Sequence, residues 1–101
     1  MDLSELRKQI DQIDDEMVRL FCERMDVASK IADYKRENKL PILVPARERE
    51  KLADVAEKAG PHMANYTRVL YSMLFELSRS YQGKRNLITS PLQQQITDSI
   101  H

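Results

Sequence analysis

A chain of 101 residues with 16 basic and 16 acidic side chains carries no formal net charge. That length admits one domain with a modest core, and charges so closely interspersed make no broad field for nucleic acid or an anionic membrane. Any site for an anion must therefore be a local cluster of cations.

The opening MDLSELRKQI enters a polar helical pattern directly, without an apolar signal region, and no run is long enough to span a bilayer, so a cytoplasmic protein is expected. The first predicted helix runs from about Leu3 to Glu37, with Asp2 and Ser4 as cap candidates and Glu5 in the first turn. At roughly 50 Å it exceeds the usual globular helix, and so short a chain cannot wrap it alone. Its apolar residues, Leu6, Ile10, Ile13, Met17, Leu20, Val27, Ile31 and Tyr34, step by three and four except where Arg24 stands in the line. Cys22, the only cysteine, rules out an internal disulfide, lacks metal-ligand spacing, and is expected to be buried as a small apolar group.

A guanidinium in a packing seam must reach water, pair with an acid of another helix, or meet a ligand anion, because leaving it unpaired costs several kcal/mol. Lys35 follows eleven residues later, rotated by only about 20° and displaced by roughly 16 Å along the axis. Both stems can therefore converge on one small molecule. Arg7 borders the same stripe about 25 Å from Arg24. If Arg7 shares the site, it must come from a second copy running antiparallel, which predicts an intertwined homodimer.

The loop NKLPILVP leads to a second predicted helix, from about Ala46 to Ala59, that stops at Gly60-Pro61. Arg47 and Glu48 fall in its first turn, either as solvated charges or as part of a site. The third predicted helix, about Met63 to Gln82, places Tyr66, Val69, Leu70, Met73, Leu74, Leu77 and Tyr81 in a stripe, with Gly83 as its stop. Ser78 and Gln82, four apart, share a face beside that stripe. No sustained period of two occurs, so the fold is expected to be all-α, with residues 1–82 as the domain and 83–101 as a flexible tail or the start of a linker.

Other chemistries lack their residues. Asp11, Asp14 and Asp15 read as a solvated face, not a metal cluster, and no Glu-x-x-His pair, glycine-rich phosphate loop or nucleophile and base pair is present.

Three segments together, LRKQIDQIDDEMVRLFCERMDVASKIADYKREN, PILVPARERE and the helix end ELSRSYQ, resemble the all-α class of chorismate mutases over about residues 3 to 82. The resemblance implies an isomerase of aromatic amino acid biosynthesis that turns chorismate into prephenate without cofactor or metal, in interlocked dimers whose two sites each draw on both chains. It assigns the cationic clamp to Arg7 of one chain with Arg24, Lys35 and Arg47 of the other, the acid meeting the ring hydroxyl to Glu48, and a polar pair to Ser78 and Gln82. Lys35 and Gln82 would face the breaking ether oxygen, with Arg24 beside them. Val44 departs from the pattern, since the family often has an acid there. Isochorismate-pyruvate lyases on the same fold can also lack that acid and form one alternative; a non-catalytic helical dimerisation or regulatory module forms another.

Overall fold

The computed structural model describes residues 2–85. They form three helices, α1 (Leu3–Glu37), α2 (Pro45–Ala59) and α3 (Ala64–Arg85), without strands among the described residues. The expected tail lies outside them from residue 86 onward. Gly83 does not stop α3, which runs on to Arg85. A lone glycine weakens a helix by about 1 kcal/mol but ends it only if the chain turns left-handed there.

Local chemistry sets each boundary. The Asp2 carboxylate accepts the Glu5 N–H at 2.9 Å, capping α1, a bond worth about 1 kcal/mol. At the other end Lys39 takes φ 55°, while its N–H reaches the Arg36 carbonyl at 3.2 Å and the Leu40 N–H reaches the Lys35 carbonyl at 2.8 Å. This pair of bonds is the Schellman closure, made here with lysine where glycine is usual. α2 has no side-chain cap at Val44 and starts on Pro45, whose fixed φ suits a first helical position. It ends at Gly60, with φ 86° and ψ 168°, a conformation that side chains disfavour.

α3 is the element on which both other helices pack, and α2 lies against it more extensively than α1 does. Its half-buried and buried residues include Ala64, Thr67, Tyr71, Phe75, Ser78 and Gln82, steps of three and four that define its inward face. Much of the apolar stripe expected to pack, with Tyr66, Val69, Leu70, Met73 and Tyr81, is instead exposed. Ser78 and Gln82 thus stand in the inward line itself.

The 35 residues of α1 extend about 52 Å, and the longest dimension of the structure is 54 Å. Among the described residues the buried apolar side chains are Ala32, Val55 and Ala56, and no large side chain is fully enclosed. Stand-alone domains bury leucine, isoleucine and phenylalanine. Here the whole α1 seam from Leu6 to Tyr34, Arg24 apart, is between 46 and 61% exposed. Cys22 is exposed too, against expectation, because none of the described elements covers that side of α1.

Candidate active site

Arg24 settles into neither acid nor water alone. It is half-buried, with its guanidinium carbon 5.6 Å from the centre of the Tyr71 ring and 5.7 Å from that of Phe75. The two rings meet edge to face, with centres 6.4 Å apart. Cation–π contacts of this kind contribute about 0.5–2 kcal/mol, and no carboxylate pairs with Arg24 among the described residues. Its hydrogen-bonding fork is left for something else.

Lys35, also half-buried, donates from Nζ to the Ile42 carbonyl at 3.3 Å. The loop is therefore tied to Lys35 twice, through this bond and through the backbone closure at Leu40. An ammonium has three donors, so one bond to the loop leaves capacity for a ligand.

Ser78 is buried on α3 and donates its hydroxyl to the Met25 sulfur at 3.7 Å. A thioether is a weak acceptor, so this hydroxyl is readily given to a better one. Gln82 follows one turn later, half-buried. The link from Ser78 to Met25 also sets the inward face of α3 beside the turn of α1 that carries Arg24.

At the start of α2, adjacent residues diverge. Arg47 is exposed and reaches Glu50 of its own helix at 3.9 Å, a loose surface pair. Glu48 is half-buried and accepts from Arg79 of α3 at 2.6 Å, a bond that crosses 31 residues of sequence. The Val44 carbonyl receives the N–H groups of both Arg47 and Glu48, at 3.0 and 3.3 Å, and its isopropyl side chain offers no acceptor.

Contacts tie four of the seven sequence-predicted residues to other parts of the fold: Arg24 lies over Tyr71 and Phe75, Ser78 meets Met25, Glu48 pairs with Arg79 and Lys35 holds the Ile42 carbonyl, while Gln82 stands half-buried one turn beyond Ser78. Arg47 is exposed at the start of α2. Arg7 stays apart, exposed and seventeen residues up α1, about 25 Å from Arg24 along the axis. Arg79, Tyr71 and Phe75 are contributors that sequence spacing missed. The two rings lie four apart on one helical face, a signal that was present; nothing local marks Arg79.

An apolar groove lies between α1 and α3. It measures about 470 Å³, with Met17, Phe21, Leu70 and Leu74 among its walls and Arg24 at its edge. Walls so apolar suit another hydrophobic surface better than a charged small molecule. No described helix is long and apolar enough to cross a membrane.

Similar proteins give the same region a context. A stretch of 49 residues is 53% identical to a bifunctional chorismate mutase/prephenate dehydratase of Aquifex aeolicus, covering 48% of this chain and 14% of that protein. Over 61 residues the chain is 39% identical to the T-protein of Haemophilus influenzae, covering 57% and 16% respectively. Over 47 residues it is 40% identical to a chorismate mutase of Methanocaldococcus jannaschii, covering 46% and 48%. The chain thus matches half or less of the length of these relatives, and no solved structure matches it. The sequence profile of type II chorismate mutases matches residues 6–83, a span that takes in all three helices and each of the seven polar positions, and the chain belongs to that family.

Proposed function

We propose that the protein is a chorismate mutase, which rearranges chorismate to prephenate in aromatic amino acid biosynthesis, and that its working form is an antiparallel, interlocked homodimer. The observation that carries this reading is the family match over residues 6–83.

The reaction is an intramolecular Claisen rearrangement, in which the ether C–O bond breaks as a new C–C bond forms in the same molecule. Nothing is added or lost, so no cofactor or metal is required. The protein has two tasks: to hold the compact chair-like conformer, and to stabilise negative charge growing on the ether oxygen. Chorismate is a dianion, and guanidinium forks bind carboxylates in a fixed orientation. Arg24, held over two rings with its fork unpaired, suits one carboxylate, with Arg47 at the rim and Arg7 of the partner subunit completing the clamp. Each charge-assisted bond is worth roughly 1.5–3 kcal/mol. Lys35 and Gln82 donate to the ether oxygen, Lys35 as the ammonium and not as a base. Glu48 accepts from the ring hydroxyl, and Ser78 exchanges its weak sulfur contact for the substrate.

Two features support the dimer. The α1 seam and the outer stripe of α3 leave large side chains 41 to 73% exposed, and an apolar groove runs between α1 and α3. A second α1 laid antiparallel covers this surface and brings its Arg7 toward the first chain's Arg24. The seam favours water-soluble assembly over membrane contact, consistent with a cytoplasmic enzyme.

Incubation with chorismate, with product converted by acid to phenylpyruvate, tests the activity. Catalysed loss above the spontaneous rate is expected; its absence overturns the proposal and leaves a helical dimerisation module. The apolar Val44 favours one second reading, an isochorismate-pyruvate lyase. Release of fluorescent salicylate from isochorismate, without turnover of chorismate, would establish it instead.

A further inference from the structure

We infer that Arg79 is a positioning residue of the active site, holding the Glu48 carboxylate in the orientation that receives the substrate's ring hydroxyl; this rests on the function proposed above. Glu48 is the acid in the first turn of α2. Its side chain has three rotatable bonds, and the neighbouring Val44 offers no polar group to fix it. In the structure it is fixed from another helix: Arg79 Nη1 donates to Glu48 Oε2 at 2.6 Å.

Two details separate this bond from the other ion pairs among the described residues. Those of Arg19, Arg36, Arg47, Lys51 and Lys58 all join residues three or four apart on one helix, whereas Arg79 and Glu48 join α3 to α2. The carboxylate side chain is only 32% exposed, so it has fewer orientations to lose. Among the described residues only Oε2 is engaged, which leaves Oε1 to accept from a hydroxyl. Arg79 also directly follows Ser78, whose hydroxyl is buried on the inward face of α3. The bond therefore keeps the acid of α2 in register with the turn of α3 that carries Ser78 and, one turn on, Gln82.

The effect required is geometric, since a misplacement of about 1 Å at a reacting group can lower rate on the order of a hundredfold. Arg79 is itself 46% exposed at the side chain, so its replacement leaves the fold intact, as helical circular dichroism will verify. Arg79→Ala and Arg79→Lys are compared with wild type on chorismate and on an analogue lacking the ring hydroxyl. Arg79→Ala is expected to lower kcat/KM for chorismate by about tenfold, to change the analogue's value little, and to be largely restored in Arg79→Lys. Equal losses on both substrates, or no loss on either, overturn the inference while the proposed function stands. A wild-type protein that leaves both substrates unchanged overturns the function and, with it, the role of Arg79.

Discussion

The two halves of α1 have the same periodicity and opposite surroundings. Residues 3–23 are exposed at every position, whereas from Arg24 to Arg36 each turn contributes half-buried or buried side chains, among them Met25, Ala28, Ala32 and Lys35. The second half is enclosed by its own chain, through the rings of α3, the Ser78 hydroxyl and the loop tied to Lys35. The first half has an equally regular apolar line that the described residues leave exposed, with α3 approaching it only at the groove beside Met17 and Phe21. On the proposed reading this single helix divides its labour: one half builds the intramolecular part of the site, and the other meets a second copy of the chain. Arg7 falls in the open half, Arg24 and Lys35 in the enclosed one.

The harshest way to break this contrast is a charge in the open half. Ile13→Glu places an unpaired carboxylate in the seam of each copy, at a cost of several kcal/mol per buried charge. Sedimentation should find the dimer dissociated; an unchanged dimer would mean that the open half meets nothing. Next in size is Lys35→Ala in the enclosed half. Loss of a donor aimed at developing charge should lower kcat by about 10²–10³-fold with helical content unchanged. Mixing Arg7→Ala with Lys35→Ala protein sharpens the division further. Each heterodimer then contains one intact site, and activity should return to about one quarter of wild type. Failure to recover places Arg7 outside the partner's site.

Two smaller effects concern the enclosed half and its neighbours. Lys39→Gly relieves a side chain from a left-handed backbone and should raise unfolding free energy by up to about 1 kcal/mol, read from the urea midpoint. A decrease would mean that the closure at Lys35 relies on the lysine itself. The smallest effect concerns Asp54, whose carboxyl is held below its ordinary value chiefly by the hydrogen bond from Lys58, with Lys51 adding to it. A depressed folded pKa contributes stability above the unfolded value of 3.8 and loses it as pH falls through the lower folded value. Asp54→Asn should therefore flatten the dependence of Tm on pH below about 4 and do little at neutrality.

What could be read in the sequence follows from the range of each interaction. α1 and α2 came within a residue of their limits because caps, Pro45 and Gly60 act over one turn. Arg24 stood out because a single cation breaks a periodic line. The inward face of α3 was misjudged because hydrophobicity ranks Val69 and Met73 above Thr67 and Ser78; much of the apolar stripe is left exposed while the mixed face packs. Arg79 was invisible for another reason. Its partner lies 31 residues away on another helix, and no local spacing encodes a pairing that only the fold creates.

An uninterrupted helix is also a measuring rod. Seventeen residues separate Arg7 from Arg24, and one inserted between Ile13 and Leu20 swings everything upstream by about 100° and 1.5 Å. Both sites of a two-fold assembly would lose their register together, since each relies on the same rod read from opposite ends. Loops tolerate additions and deletions; this interval does not. Its length should resist drift more strongly than the identity of most residues along it.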